Sequence, residues 1–167
     1  MATVVARQVR REAAGRLVLL RGGASERPAV PWEALRPRDR DAIVAVTLLG
    51  WLPPRDPATV AHRARYRLGG YDGWWLAPGL GYASLRVGPP ACTRDLKQAW
   101  RALTRAREAM PGVTLEGLAL DSNGVVSACV RVGERLYTQQ SMWPADALCR
   151  ALVEAAGVDV GHVTPVD

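Results

Sequence analysis

The chain has 167 residues, 49% of them hydrophobic and 23% charged, which suits one domain with a packed core and excludes an intrinsically disordered chain. Its formal charge is +6, from 22 basic against 16 acidic residues, and thirteen of the bases are arginines that precede residue 71. Three widely spaced cysteines, and two histidines a hundred residues apart, exclude a disulfide framework and any recognised metal-ligand spacing.

Residues 4–20 predict a β-hairpin: Val4, Val5 and Val9 lead into the turn Ala13-Ala14-Gly15, and Leu17-Val18-Leu19-Leu20 returns. Arg7, Arg10 and Arg11 interrupt the segment before any signal-peptide core, and the uncharged stretch 42–54 is far short of the ~20 apolar residues that cross a bilayer. A cytoplasmic protein without membrane contact is therefore expected. Residues 25–40 hold Pro28, Pro31 and Pro37 among charges and predict an ordered connector, with Trp32 and Leu35 pinning it to the body.

The first helix is expected over 39–51, capped by Asp39 or Asp41 and stopped by Gly50 and Pro53-Pro54. Ile43, Val44, Val46, Thr47 and Leu48 leave it apolar almost all round, the pattern of a helix packed between other elements. A Pro- and Arg-rich link follows over 52–68, then a strand pair at 71–76 and 82–87 about Pro78-Gly79. The second helix is expected from an N-cap at Thr93, with Leu96, Ala99, Trp100, Leu103, Ala106 and Met110 on its buried face and Pro111-Gly112 as its end. That phase puts Trp100 in the core.

Strands at 114–120, 125–132 and 135–139 form an antiparallel meander, joined by Asp121-Ser122-Asn123-Gly124 and by Gly133-Glu134. The third helix starts near Pro144, buries Ala145, Leu148, Cys149, Leu152 and Val153, and ends at Gly157. Residues 158–167 add a short edge strand or trail away.

Three segments carry a resemblance. Asp41-Ala42-Ile43-Val44-Ala45 runs to Leu49-Gly50-Trp51. Asp72-Gly73-Trp74-Trp75 is followed by Pro89-Pro90-Ala91-Cys92-Thr93-Arg94-Asp95-Leu96 and Trp100. Pro144-Ala145 leads to Leu148-Cys149-Arg150-Ala151-Leu152. Taken in order over 39–157, they resemble the phage ABA sandwich domain family of phage and prophage proteins, with Val46 where that family usually has Glu. The resemblance implies helices on both sides of a central sheet and a phage or prophage origin, and it implies no chemistry. The expected architecture is thus α/β: three helices on both sides of a mostly antiparallel sheet, an αβα sandwich over 39–167, preceded by the hairpin and connector of 1–38.

No phosphate-binding glycine motif is present, since Gly79 and Gly81 lack a third glycine and a following helix. Cys149 and Cys129 sit among apolar residues and read as inert thiols, and no carboxylate pair is placed for acid–base work. A non-enzymatic protein with no cofactor and no metal is expected. One constellation remains: Arg94, Lys97, Arg101 and Arg105 recur along one stripe of the second helix, while Arg63, Arg65, Arg67 and Arg86 flank the strand bearing Tyr71, Trp74 and Trp75. Bases interleaved with aromatics suit phosphate contacts and base stacking. The candidate ligand-binding set is Arg65, Arg67, Trp74, Arg86, Arg94, Lys97 and Arg101.

The plain alternative is a solvated helix face, core tryptophans, and an arginine excess set by GC-rich coding. If the stripe is exposed, Arg94, Lys97 and Arg101 can all be reversed to Glu at little cost in stability, because exposed ion pairs are worth ~0–1 kcal/mol. The expected function is a small phage or prophage protein that binds an anionic partner. That partner is either a nucleotide signal sequestered as counter-defence or nucleic acid. The alternative is a module that docks on a host or phage protein through the proline-rich connector and Trp32 or Trp143. Oligomeric state is left open.

Overall fold

The computed structural model describes residues 27–68, 73–79 and 82–166, so the hairpin expected over 4–20 and Tyr71 lie outside the described residues. Val30 and Val163 exchange backbone hydrogen bonds of 2.9 and 2.8 Å, and the Trp32 N–H donates to the Val160 carbonyl. Connector and C-terminal tail are thereby joined, and the tail forms one bridge rather than an edge strand. A 3-10 turn, Trp32–Ala34, carries Trp32 into the core at 1% exposure, with Leu35 buried beside it, as the connector sequence suggests.

Helix α1 (Pro37–Thr47) begins two residues before the expected start, because Pro37 takes the first helical position, where its fixed φ fits and an N–H is not required. Neither aspartate caps it; Arg36 holds the N-cap position, and its side chain caps no backbone N–H. Gly50, at φ +68°, ends the segment as expected. Helix α2 (Pro57–Arg65) lies inside the stretch expected to be a link. Asp56 accepts from the Ala58 N–H at 2.9 Å and Pro57 sits at the first position, a start signal hidden by the surrounding prolines and arginines.

Strands β1 (Trp74–Pro78) and β2 (Ala83–Val87) pair antiparallel, and α2 packs on β1. Helix α3 (Leu96–Ala109) has Asp95 as its N-cap, accepting from the Lys97 N–H at 2.8 Å. The expected cap, Thr93, is buried and committed elsewhere. Strands β3 (Val113–Leu120), β4 (Val126–Val132) and β5 (Arg135–Ser141) form the expected meander, and α4 (Pro144–Ala155) follows.

Val126, Ala128 and Val130 of β4 are buried beneath α4, which also contacts β5 and packs against α3. The opposite sheet face carries Ser127, Cys129 and Arg131, with Gln140, Thr138 and Leu136 across from them, and no described helix packs there. On its far side α4 meets α1, whose Ile43, Val44 and Leu48 join the main core. The other face of α1 presents Ala42 and Ala45 to Trp75 of β1. Helix α1 is therefore packed between elements, as its all-round apolar sequence requires.

The chain is mixed α/β, but it departs from the expected architecture. Among the described residues there are four α-helices, not three, and two small antiparallel sheets, not one. The β1–β2 hairpin cannot join β3–β5 because α1 and α4 lie between them. Trp100 is a second departure: it is 43% exposed, and the buried face of α3 is Ala99, Ala102, Leu103, Ala106 and Met110. An alanine stripe lets α3 approach α4 closely, whereas an indole on that line would hold the helices apart.

Candidate functional site

The seven residues expected to form a ligand site do not come together as one. Arg94 is engaged with α1: its Nη2 and Nε lie 3.0 and 3.3 Å from Asp41 Oδ2, while the Thr93 N–H and hydroxyl donate to Asp41 Oδ1 at 2.8 and 2.7 Å. Asp41 is fully buried, and Arg94, whose side chain is 59% exposed, serves as its counter-charge. Arg65 and Arg67 are exposed at the C-terminal end of α2 and just beyond it. The register pairs Trp74 with Val87 and Trp75 with Arg86, so half-buried Trp74 and exposed Arg86 belong to opposite faces of the hairpin.

Lys97 and Arg101 stand as expected on the solvent side of α3. Neither has an acidic partner among the described residues, and Arg101 Nη1 donates only to Gln98 Oε1, at 3.1 Å. Arg105 is neutralised by Glu108 at 2.6 Å. Trp100 shares this outward side: Lys97 lies three residues before it, Thr104 four after and Arg107 seven after, all on adjacent helical rows. The sequence supplied every residue of this face, but the apolar periodicity assigned its ring to the core.

A second cationic region was missed. A cleft of ≈310 Å³ opens at the N-terminal end of α1, lined by Arg27, Arg36, Arg38 and Asp39 and floored by Ala42 and Trp75. Burial pushes the Asp39 carboxyl up, but hydrogen bonds from Arg36 and the charges of Arg27 and Arg36 more than reverse this and hold it below its ordinary value. The sequence carries it as the run Arg36-Pro37-Arg38-Asp39, in which Pro37 and the neighbouring Pro28 and Pro31 hide the helix start.

Of the two cysteines expected to be inert, Cys149 is buried and Cys129 is half-buried. Burial pushes the Cys92 thiol up to about 12 and raises that of Cys149 as well. Among the described residues no group of three or more His, Cys, Asp or Glu could hold a metal ion, and no helix is long and apolar enough to cross a membrane. Of the tryptophans expected as protein contacts, Trp32 is enclosed, its Nε1–H donating to Asp146 Oδ1 at 3.1 Å, while Trp143 is 69% exposed.

No known protein family matches the chain. No curated protein matches it either. Among solved structures it is similar to a phage protein from Bacillus cereus ATCC 14579, at 16% identity and a TM-score of 0.45, over 75% of this chain and 92% of that one.

Proposed function

We propose that the chain is a non-enzymatic phage or prophage protein that binds single-stranded nucleic acid through the outward face of α3, acting in the host cytoplasm. The observation that carries this reading is Trp100, a half-exposed indole on the same outward side of α3 as Lys97 and Arg101, neither of which has an acidic partner among the described residues. An exposed aromatic ring among free cations is the arrangement on which unpaired bases stack while phosphates are neutralised alongside. The face belongs to a convex helix, which favours an extended polymer over a sequestered nucleotide signal, since small ligands bind in concave sites. The phage or prophage origin, and a distant place in the ABA sandwich family, rest on the three ordered sequence segments.

The test is fluorescence anisotropy of a labelled oligothymidylate against salt concentration. Wild-type protein binds at low salt, and log K falls linearly with log salt. The double reversal Lys97→Glu, Arg101→Glu weakens binding by about tenfold or more and lowers the salt slope by about 1.4, while Trp100→Ala weakens it at unchanged slope. Absence of binding at low salt, or a double variant that binds like wild type, refutes the proposal.

A second reading, docking on a host or phage protein, is favoured by one observation. Met142 and Trp143 are 61% and 69% exposed side by side where β5 leads into α4, and exposed tryptophan is a common interface anchor. Binding to such a partner would be insensitive to salt and lost in Trp143→Ala.

A further inference from the structure

Helix α2 turns its polar side inward and leaves its apolar side in water. Thr59 is fully buried and its hydroxyl donates to the Leu52 carbonyl at 3.4 Å, while His62 and Arg63 are half-buried on the same side. Pro57, Val60, Ala61 and Ala64 recur on the opposite side at helical spacing, and all four are exposed, Val60 at 44%. The helix is nonetheless firmly mounted. Asp56 caps its start, the bridge between Leu52 and Leu76 holds the chain just before it, and the helix packs on β1. A fixed helix with an exposed apolar face is a surface for a partner.

The charges around that face select the partner. Arg55 lies two residues before α2, Arg65 is its last residue, and Arg67 follows two later. All three are exposed, and none has an acidic partner among the described residues. Arg67 adopts φ +54°, the left-handed conformation that glycine normally supplies at this point of a helix end. Its N–H donates to the Ala64 carbonyl at 3.0 Å, and the Leu68 N–H donates to the Arg63 carbonyl at 3.2 Å. The turn thus closes as it would around glycine, yet it carries an arginine against the backbone preference. A second copy of the chain is the wrong occupant, because two such helices meeting in either direction bring these arginines together. A lipid surface is a poor match as well, since helices that lie in it insert bulky apolar side chains, and the largest on this face is Val60.

We infer that α2 lies in the major groove of duplex DNA, with Arg55 on the phosphates of one strand and Arg65 and Arg67 on those of the other. Nine residues at about 1.5 Å each make a helix about 13 Å long, close to the roughly 12 Å width of that groove. Bases at its two ends therefore meet the two walls. Side chains no larger than valine let the helix backbone approach the groove floor, where alanine and valine can touch thymine methyl groups without reading one sequence. Phosphate contacts dominate such binding. Duplex RNA does not fit, because its major groove is too deep and narrow to be entered. Helix α2 packs on the β1–β2 hairpin whereas α3 packs on α4, so the two faces belong to different layers.

Fluorescence anisotropy with a labelled DNA duplex of two helical turns decides it. Wild-type protein binds at low salt, with log K falling linearly with log salt. Arg55→Gln, Arg65→Gln and Arg67→Gln together weaken binding about tenfold or more and lower the salt slope by about 2.7, at about 0.9 for each phosphate contact. Arg67→Gly places glycine where φ is positive, keeps the fold, and lowers the slope by about 0.9. Duplex RNA of the same sequence binds about tenfold or more weakly. Lys97→Glu, Arg101→Glu leaves duplex binding unaltered, and the triple variant leaves oligothymidylate binding unaltered, so this face and that of α3 stand or fall separately. The inference is overturned if the duplex does not bind at low salt, if either α2 variant keeps the wild-type slope, or if duplex RNA binds as well as duplex DNA. It is equally overturned if the α3 reversal abolishes duplex binding, or if the protein sediments with phosphatidylglycerol vesicles through the same three arginines.

Discussion

Trp32 and Trp100 have the same side chain in opposite settings, and substituting each separates packing from surface chemistry. Trp32 is enclosed, and its Nε1–H satisfies Asp146, which also accepts from Arg40 at 3.2 Å and from Ser141 at 2.8 Å. Trp32→Ala removes a large core side chain and one of those donors, and is expected to destabilise the fold by ~3–5 kcal/mol in denaturant titration. Trp100→Ala is expected to cost under ~1 kcal/mol, since much of the ring already meets water. The sequence identified Trp32 as a pin because an isolated Trp in a proline-rich connector has few other ways to be ordered. It misplaced Trp100 because the expected face differs from the buried one only at its two edges, Leu96 and Trp100 on one side and Ala102 on the other. Periodicity alone does not choose between them, and the partner helix does.

Among the elements, the contact between α1 and the start of α3 depends on one buried carboxylate. Asp41 accepts the Thr93 N–H, the Thr93 hydroxyl and the Arg94 guanidinium, and so fixes the loop that launches α3. Asp41→Ala leaves those donors without their acceptor and is expected to cost ~3–5 kcal/mol, read as a fall in the denaturation midpoint. Arg94→Glu sets a second carboxylate against Asp41 and is expected to lower the melting temperature clearly, whereas Lys97→Glu and Arg101→Glu leave it nearly unchanged. The expectation that all three bases could be reversed at little cost is therefore revised at Arg94, whose partner Asp41 is buried. The helical stripe was legible in the sequence, but its tie to Asp41, 53 positions earlier, was not, because a pairing between distant elements leaves no local pattern. The meander and α4 were legible because Asn123-Gly124, Gly133 and Pro144 mark their ends chemically.

Across the whole molecule, the layers run from the β3–β5 sheet through α3 and α4 to α1 and the β1–β2 hairpin, and carboxylate–arginine pairs fasten the connector to these layers. Glu33 meets Arg150 of α4, and its own backbone N–H together with Arg150 holds its carboxyl below the ordinary value despite some burial. Asp39 is held low by Arg36 and Arg27 against the opposing effect of its burial. A carboxylate whose folded value is depressed binds its proton more readily in the unfolded chain, so folding is favoured while the group stays ionised. Its contribution is complete above the unfolded value, about 3.9–4.3 for these groups, and is lost as pH falls through the lower folded value. Stability measured by urea titration should therefore be flat through neutrality as far as these two groups are concerned and fall on the acid side below about pH 4. Asp39→Asn removes one of the two titrations and should make that acid limb shallower, while lowering stability at neutral pH because Arg36 and Arg27 lose their partner. An acid limb of unchanged steepness in Asp39→Asn would show that the fastening of the connector does not depend on this carboxylate.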